Sequence, residues 1–370
     1  MTKPASAPMT EALGLAAQAL FRSNPNPRVG CVVVTPEGDI LGQGFTQRAG
    51  DPHAEVMALR DAADKDHDLR GATAYVTLEP CSHHGRTGPC CDALIKAGIS
   101  KVVASITDPN PLVAGQGFAR LRAAGVDVEV GPGAEESREL NIGFFSRMIR
   151  GTPWVRLKAA ASIDGTTALN NGASQWITSR TARADGHAWR ARACAVLTGI
   201  GTVLDDNPRL DVREVATPRQ PHVVVVDSQM QTPTDANLFL AKRDCYIYTA
   251  VQNSSKKAAL EACGAQIIYM PHATSGKVDL SAMLHDLGQR GINELHVEAG
   301  HKLNGSLVRE GLVDELLVYV APRLLGQGLD IAHFGPLDTL AEGLALEFKS
   351  VDMLGPDLRI AARVVGRDRF

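Results

Sequence analysis

The segment 77–91, Thr-Leu-Glu-Pro-Cys-Ser-His-His-Gly-Arg-Thr-Gly-Pro-Cys-Cys, decides the fold of the first part of this chain when it is taken together with His53-Ala54-Glu55. One nitrogen and two sulfur ligands, His53, Cys81 and Cys90, are typical of a catalytic zinc site that keeps its fourth position open for water. Zinc lowers the pKa of such a water towards neutrality. We therefore predict a catalytic zinc centre, with Glu55 beside the metal rather than bound to it.

The spacing of these residues indicates the kind of zinc chemistry. A His-x-Glu followed by Pro-Cys-x-x-Cys is the pattern of zinc nucleobase deaminases, in which the glutamate moves protons between the water and the leaving amine. The chain matches at His53, Glu55 and Cys81, but eight residues rather than two separate Cys81 from Cys90. Neighbouring side chains on a helix point about 100° apart, so we expect Cys90 to bind the metal and Cys91 not to bind it.

The sequence around the ligands predicts two helix starts and one strand end. Asp51-Pro52 is expected to open a helix that ends near Lys65, with the aspartate as cap and the proline in the first helical position. The expected buried side of this helix consists of Val56, Met57, Leu59 and Ala63. Residues 73–78 are typical of a buried strand that ends at the metal, and Pro89 is expected to start a second helix. A helix N-terminus favours a thiolate.

The composition is that of an ordinary globular protein with two or three domains. The chain has 370 residues, of which 44% are hydrophobic and 21% charged, and its net charge is −3. This balance gives no basic footprint for nucleic acid, and no apolar run reaches membrane-spanning length. Seven cysteines, with no signal-peptide core at the N-terminus, favour a reducing compartment. We expect a cytoplasmic protein that binds neither nucleic acid nor membranes.

The alternation of short apolar runs with helical patterns predicts two α/β domains, residues 1–150 and 151–370, joined at Arg150-Gly-Thr-Pro153. Besides the elements at the metal, we predict in the first domain helices at 10–22, 116–124 and 135–150, and strands at 29–34, 40–44, 101–106 and 126–130. In the second domain we predict strands at 154–160, 195–197, 222–227, 245–249, 265–269, 294–297 and 315–320, and helices at 180–192, 254–262, 280–290 and 302–310.

Two glycine-bearing strand ends in the second half indicate a phosphate or dinucleotide site. The half contains no Gly-x-Gly-x-x-Gly after a strand, so a standard dinucleotide fold has no support. Gly300 and Gly305 lie where a predicted strand turns into a helix, and Gly199 and Gly201 follow another predicted strand. Backbone N–H groups at such points bind phosphate, and two such loops on neighbouring strands could hold a dinucleotide. A plain turn is the structural alternative for each loop.

Longer motifs give the chain a resemblance to a known family over nearly its full length. These motifs are Asn24-Pro-Asn-Pro-Arg-Val-Gly-Cys31, His53-Ala-Glu-Val56, the segment 77–91, Asp108-Pro-Asn-Pro111, Lys158-Ala-Ala-Ala-Ser-Ile-Asp-Gly165, Ser174-Gln-Trp-Ile-Thr178, Gly201-Thr-Val-Leu-Asp-Asp-Asn-Pro208 and Val297-Glu-Ala-Gly300. The chain resembles the bifunctional deaminase/reductases of riboflavin biosynthesis, which show the same long spacer between Cys81 and Cys90. It departs from them at His301, where the family often has proline.

The resemblance implies an α/β fold with two parts. An N-terminal three-layer domain like cytidine deaminase would use zinc to deaminate 2,5-diamino-6-(5-phosphoribosylamino)pyrimidin-4-one. A C-terminal domain like dihydrofolate reductase would then use NADPH to reduce the ribosyl group of 5-amino-6-(5-phosphoribosylamino)uracil to ribityl. The implied partners are therefore small phosphoribosylaminopyrimidines.

The resemblance also assigns residues. The cofactor positions are Ala160, Trp176, Thr202, Asp206, Gly300, His301, Lys302, Leu303, Asn304, Gly305 and Ser306. The substrate positions are Asn24, Ser174, Arg190, Leu210, Arg213 and Glu298, and His83 and His84 would meet the substrate of the first site unless they form a solvated loop. Arg190 and Arg213 could hold a phosphate by bidentate hydrogen bonds. Lys158, Asp206 and Glu298 are alternatives for orienting or protonating the opening sugar, with Lys158 and Asp206 expected to be catalytic.

Other classes of function share some of these residues. A deaminase of nucleic acid would share the zinc site, but the net charge of −3 argues against it and it would not need residues 151–370. A zinc deaminase of another substrate could carry a non-catalytic C-terminal binding domain. A binding protein with a structural zinc would need a fourth protein ligand. Ammonia release from the diaminopyrimidine phosphate separates these alternatives, and assembly into a homo-oligomer is compatible with all of them.

Overall fold

The computed structural model describes residues 4–82, 88–111 and 113–370, and it divides the chain into two compact units, residues 1–150 and 151–370. The predicted α/β fold of each half is confirmed. Among the described residues, no helix combines the length and the apolar character that a membrane crossing requires.

The first unit contains six helices and five strands among its described residues. The helices are α1 (Ala7–Gln18), α2 (Ala54–Asp64), α3 (Cys90–Lys96), α4 (Gln116–Ala123), α5 (Ala134–Leu140) and α6 (Ile142–Arg150). The strands are β1 (Gly30–Val34), β2 (Ile40–Phe45), β3 (Thr73–Val76), β4 (Lys101–Ala104) and β5 (Asp127–Val130). Their order in the sheet is β2-β1-β3-β4-β5, with β1 antiparallel to both of its neighbours and β3, β4 and β5 parallel.

Glycines in the first two strands let helices approach both faces of this sheet. A Cβ atom on Gly30 would lie 1.9 Å from a backbone oxygen of α1, and one on Gly42 would lie 2.3 Å from a backbone oxygen of α2. Gly42 pairs with Val33, so the two glycines point to opposite faces of the sheet. The sheet is therefore the middle of three layers.

The buried side of α2 differs from the prediction based on its large apolar residues. The residues that α2 buries are Ala54, Glu55, Ala58 and Ala62. Val56, Met57 and Leu59 are only half-buried and Ala63 is exposed, so the predicted face was wrong. Close approach to the glycines of β2 selects alanines for the contact, because larger side chains would collide with the strand.

The predicted helix over 135–150 is two helices, α5 and α6, which meet at Asn141. The side chain of Asn141 accepts a hydrogen bond from the amide of Arg28 at 2.7 Å and donates one to its carbonyl at 2.9 Å. This pair of bonds fastens the helical segment to the chain just before β1. The interruption thus depends on a contact that is distant in the sequence.

The second unit is built on a nine-stranded sheet. Its described helices are α7 (Arg180–Arg192), α8 (Ile200–Asp206), α9 (Ser254–Ala262), α10 (Leu280–Gln289) and α11 (His301–Arg309), with short 3₁₀ turns at Asn237–Phe239 and Leu340–Glu342. Its strands are β6 (Trp154–Ser162), β7 (Ala168–Leu169), β8 (Ala195–Gly199), β9 (His222–Val226), β10 (Cys245–Thr249), β11 (Ala265–Tyr269), β12 (Glu294–Val297), β13 (Glu315–Ala321), β14 (Gly328–Leu329), β15 (Leu346–Leu354) and β16 (Asp357–Val364).

The order of the large sheet is β11-β10-β9-β8-β12-β6-β13-β16-β15, and β7 pairs with β14 separately. The strands from β11 to β13 are parallel, and β16 and β15 close one edge as an antiparallel hairpin. The sequence did not predict α8 or this hairpin. Because β6, β8 and β12 are parallel neighbours, their carboxyl ends meet at one edge of the sheet.

A buried ionic cluster fixes the register of the central strands. Arg156 on β6 is 1% exposed, and its guanidinium donates to Glu315 at 2.6 Å and to Glu294 at 3.0 Å. A buried charge without such partners costs several kcal/mol. Lys158 lies two residues further along β6, and Glu298 directly follows β12, four residues after Glu294, so both side chains point to the face of Arg156 and Glu294.

Candidate functional site

Three side chains of the first unit converge as a metal site requires. The Nδ1 atom of His53 lies 3.7 Å from Sγ of Cys81 and 3.4 Å from Sγ of Cys90. Nitrogen and sulfur ligands of a tetrahedral zinc, at about 2.0 and 2.3 Å from the metal, lie about 3.6 Å apart. The spacing therefore fits one zinc ion held by all three atoms, which lie within 4.8 Å of one another.

The start of α2 places His53, and it does so differently from the prediction. His53 is the residue before the first helical turn, so the expectation that Asp51 caps this helix with Pro52 inside it was wrong. The amide of Asp51 instead donates to the carbonyl of Arg48 at 2.8 Å and closes a turn that ends before the helix. Glu55 stays in the first turn, as predicted.

The two thiols come from a strand end and a helix start. Cys81 follows β3, and Cys90 is the first residue of α3, directly after Pro89. The backbone amide of Cys90 donates to Sγ of Cys81 at 3.3 Å. Hydrogen bonds from the Cys90 thiol and from His53 lower the pKa of the Cys81 thiol to about 4, against the opposing effect of burial. Cys81 is therefore prepared to bind a cation as a thiolate.

Cys91 is separated from the metal site by its own hydrogen bonds. Its Sγ donates to the carbonyl of Pro80 at 3.2 Å and to that of Gly117 at 3.5 Å. Burial raises the pKa of Cys91 to about 12. A neutral thiol that points to two carbonyl groups packs the loop and does not bind zinc.

This arrangement predicts opposite results for two neighbouring cysteines. Cys90→Ser should lose most of its zinc, because a serine hydroxyl stays protonated where the thiolate binds, whereas Cys91→Ser should retain one zinc per chain. Metal analysis of both purified variants by plasma mass spectrometry, beside the parent protein, measures this. Retention in Cys90→Ser with loss in Cys91→Ser would reverse the assignment.

Glu55 is a buried carboxyl group beside the metal ligands. It is 3% exposed and lines a cavity of about 490 Å³ together with His53 and Cys81. Burial, reinforced by the Cys81 thiolate, raises the pKa of Glu55 to about 7. A carboxyl group that titrates near neutral pH can both take and return a proton.

Glu79 has a role that the sequence reasoning missed. Its carboxylate accepts hydrogen bonds from the amides of Asp108, Gly115, Gly117 and Phe118, at 2.9 to 3.3 Å. It thereby holds the segment after β4 against the metal loop. Asp108 and Asn110 of this segment line the cavity, and burial raises the pKa of Asp108 to about 7. In the sequence, the motif Asp108-Pro-Asn-Pro111 was the signal that this segment belongs to the site.

The other residues expected at the first site are only partly located. Asn24 does not line the cavity itself, but it precedes Pro25 and Asn26, which do. His83 and His84 lie outside the described residues.

The second unit contains a larger cavity, of about 740 Å³, at the carboxyl ends of its parallel strands. The two glycine loops meet there, since a Cβ atom on Gly300 would lie 3.9 Å from Oγ1 of Thr202. Gly300 directly precedes α11, whose first amides are free of helical partners. Such amides bind the phosphates of a dinucleotide, so the loops fit an NADPH molecule.

Most residues that the resemblance assigns to the second site line this cavity. They are Lys158, Ala160, Ser174, Trp176, Arg190, Thr202, Asp206, Leu210, Arg213, Glu298, Gly300, His301 and Asn304. The remaining four of the predicted cofactor loop do not line it. Leu303 packs on the hydrophobic core, Gly305 lies against the carbonyl of His333, Lys302 is exposed, and Ser306 donates to Lys302.

Glu298 is the centre of the charged groups in this cavity. The guanidinium of Arg190 binds both of its carboxylate oxygens, through Nε and, at 2.8 Å, through Nη2. Lys158 lies 3.8 Å from the same carboxylate. Arg190 foremost, followed by Lys158, holds the pKa of Glu298 well below its usual range against the effect of burial. Burial lowers the pKa of Lys158.

Arg190 and Arg213 were both predicted to hold a phosphate by bidentate hydrogen bonds, but their contacts in the structure differ. The bidentate edge of Arg190 is taken by Glu298. Arg213 pairs with Asp211 through Nη1 alone, and its Nε and Nη2 have no partner among the described residues. Arg213 therefore keeps a bidentate edge for an anion, and Arg190 orients the carboxylate instead.

Comparisons with known families give a separate match for each half of the chain. Residues 2–106 match the cytidine and deoxycytidylate deaminase zinc-binding region, and residues 153–360 match the RibD C-terminal domain. The riboflavin biosynthesis protein RibD of Escherichia coli is 45% identical over 363 residues, covering 95% of this chain and 96% of that protein. The same protein of Aquifex aeolicus is 41% identical over 352 residues, covering 95% and 96%.

Solved structures agree over the whole length. RibD of Acinetobacter baumannii has a TM-score of 0.88 at 39% identity, covering 97% of this chain and 98% of that one. A diaminohydroxyphosphoribosylaminopyrimidine deaminase/5-amino-6-(5-phosphoribosylamino)uracil reductase from Thermotoga maritima has a TM-score of 0.85 at 32% identity, covering 96% and 97%. Fold and sites define a bifunctional enzyme with a zinc-dependent deaminase and an NADPH-dependent reductase. The chain belongs to the RibD family of riboflavin biosynthesis proteins.

Proposed function

We propose that residues 1–150 deaminate 2,5-diamino-6-(5-phosphoribosylamino)pyrimidin-4-one and that residues 151–370 reduce the resulting 5-amino-6-(5-phosphoribosylamino)uracil. The observation that carries this proposal is the convergence of His53, Cys81 and Cys90 beside the buried Glu55. The test supplies the diaminopyrimidine phosphate to the enzyme. Ammonia release is measured first, without NADPH; NADPH is then added and its oxidation is measured. Absence of ammonia release from the zinc-loaded enzyme would refute the first reaction.

The deamination step assigns one role to each residue of the first cavity. His53, Cys81 and Cys90 would hold the zinc, whose chemistry is to acidify a water at neutral pH. Glu55 would move the two protons of the attacking water, one to the adjacent ring nitrogen and one to the amino nitrogen, while the water oxygen bonds to the ring carbon and becomes its carbonyl oxygen as the amino group leaves as ammonia. Its buried position excludes bulk water from this transfer. Asp108 and Asn110 offer polar groups to the pyrimidine.

The reduction step needs one proton donor and one hydride donor. NADPH supplies the hydride, and Gly300, Thr202 and the start of α11 would hold its phosphates. The ribose opens when its ring oxygen receives a proton. Lys158 is the donor that we infer, because burial lowers its pKa and makes its ammonium a stronger acid. Glu298 stays ionised and orients Lys158.

Asp206 is the remaining alternative for an acid in the second cavity. Burial, followed by the charge of Asp205, raises its pKa. Its side chain nevertheless lies at the end of α8 and is largely exposed, four residues after Thr202. We assign it to the cofactor rather than to the sugar.

The chain is proposed to assemble through its outermost strand. Within the described ranges β15 pairs with β16 alone and forms the end of the sheet, yet it exposes Phe348, Val351 and Met353, of which Phe348 is 69% exposed. An edge strand with exposed apolar side chains favours pairing with a second copy of the chain.

The seven free cysteines support a reducing cytoplasmic location.

This edge predicts a dimer that one charge disrupts. Light scattering should give the mass of two chains for the parent protein and the mass of one chain for Phe348→Glu. The reason is that burying an unpaired carboxylate in the interface is costly. Glu347→Gln, on the same strand, serves as control and should stay dimeric. A monomeric parent protein, or a dimeric Phe348→Glu, would exclude this edge.

A further inference from the structure

The loop that carries Arg213 is held in place by side chains along its backbone. Arg243 donates to the carbonyls of residues 209 and 210, and Arg190 donates to that of residue 211 at 3.1 Å. Gln220 accepts from the amide of residue 212 at 2.7 Å and donates to its carbonyl at 3.0 Å. The amide of Arg213 itself donates to Nδ1 of His187 at 3.2 Å. Each residue from 209 to 213 is thus anchored by a side chain.

The last of these bonds fixes the state of His187. An Nδ1 atom that accepts from an amide carries no proton, so the neutral ring carries its proton on Nε2. His187 is 7% exposed and lines the cavity of the second unit. Its Nε2 has no hydrogen-bond partner among the described residues. The ring therefore carries an N–H donor at the cavity wall that none of the described residues accepts.

The surroundings keep this donor uncharged and place it where an anion would bind. Burial, followed by the charges of Arg190 and Arg213, lowers the pKa of His187 to about 4. Arg213 lines the same cavity, and its Nε and Nη2 edge meets no partner in the described part of the chain. A phosphate held by that edge would be adjacent to a residue whose ring is already tied to the Arg213 backbone. Hydrogen bonds to charged groups are the strong ones.

We propose that His187 binds the 5′-phosphate of the reductase substrate: its Nε2–H donates to a phosphate oxygen while its Nδ1 positions the loop that carries Arg213. This inference rests on the proposed reduction of a phosphoribosyl compound, and it adds a residue that the family resemblance did not assign. The neutral ring recognises the phosphate by a hydrogen bond and leaves the charge pairing to Arg213.

Asparagine at position 187 separates the two roles of the ring. Its Oδ1 can accept from the Arg213 amide as Nδ1 does, but its side chain is too short to replace the Nε2–H. With 5-amino-6-(5-phosphoribosylamino)uracil, His187→Asn should raise KM about tenfold or more, with kcat and the KM for NADPH changed less than about twofold. Inhibition by inorganic phosphate should weaken by a similar factor. The phosphate-free riboside should show the same KM with the parent and the variant.

Two further variants make the result decisive. His187→Leu removes both contacts and should raise KM for the riboside as well, because the loop loses its anchor. His285→Asn changes an exposed histidine outside the cavity and should match the parent enzyme. An unchanged KM in His187→Asn, or an equal rise for phosphate and riboside, would overturn the proposal. Failure of the parent enzyme to oxidise NADPH would instead refute the proposed function.

Discussion

Replacement of Glu55 by glutamine is expected to slow ammonia release by about 10³-fold while the protein keeps one zinc per chain. General acid–base groups contribute about 10²- to 10⁴-fold to a rate. Glutamine has the size of Glu55 but cannot carry a proton between the water and the leaving amine. His53, Cys81 and Cys90 are unaltered in this variant and already satisfy the spacing of a zinc site. Ammonia release and zinc content are measured on the same sample.

Two controls test the assignment of Glu55 as the proton carrier. Glu37→Gln, on the exposed turn between β1 and β2, removes the same charge away from the cavity and should leave ammonia release unchanged. NADPH-dependent reduction of the deaminated substrate by Glu55→Gln should also match the parent enzyme. If Glu55→Gln lost its zinc, the carboxylate would be a ligand, and if it stayed within a few-fold of parent activity, another group would move the proton.

Local spacing was sufficient to predict which three side chains converge at the first site. His53 and Glu55 lie two residues apart, and prolines precede both Cys81 and Cys90, so the ligand set could be identified before any fold was known. The same reasoning could not find the four amides that surround the Glu79 carboxylate. These amides come from a loop and the first turn of α4, 29 to 39 residues further along the chain, and the parallel pairing of β3 with β4 brings that segment to the metal.

The second site depends on contacts that no local pattern encodes. Arg190 and Glu298 are 108 residues apart and meet because Glu298 directly follows β12 and α7 leads into β8, its neighbour in the sheet. His187 reaches the Arg213 amide across 26 residues because α7 leads into β8 and the segment with Arg213 leads into β9, the other neighbour of β8 in the sheet. Strands with steady apolar runs, such as 245–249, were predicted to the residue. The edge hairpin was missed because β15 mixes charged with exposed apolar side chains.

Removal of zinc is expected to abolish ammonia release and to leave reduction of the deaminated substrate within about twofold of the parent rate. Among the described residues, His53, Cys81 and Cys90 form the one group of three or more His, Cys, Asp or Glu side chains that could hold a metal ion, and all three belong to the first unit. The cavity of the second unit is lined by residues of that unit alone. Hydride transfer is the chemistry of NADPH itself, and the residues that line the second cavity bind and orient the cofactor and the substrate.

The reciprocal variant is Lys158→Met, which is expected to lower kcat for reduction by about 10²-fold or more and to leave ammonia release unchanged. Methionine is unbranched like Lys158, ends one atom earlier and cannot donate a proton, and the ion pair of Arg190 with Glu298 remains to hold the cavity in shape. Lys242→Met, on an exposed loop, is the matched control and should reduce at the parent rate. Circular dichroism verifies the fold of each sample. Loss of reduction in the zinc-free protein with its fold intact would show that one unit depends on the metal of the other, and the assignment of one chemistry to each unit would then be wrong.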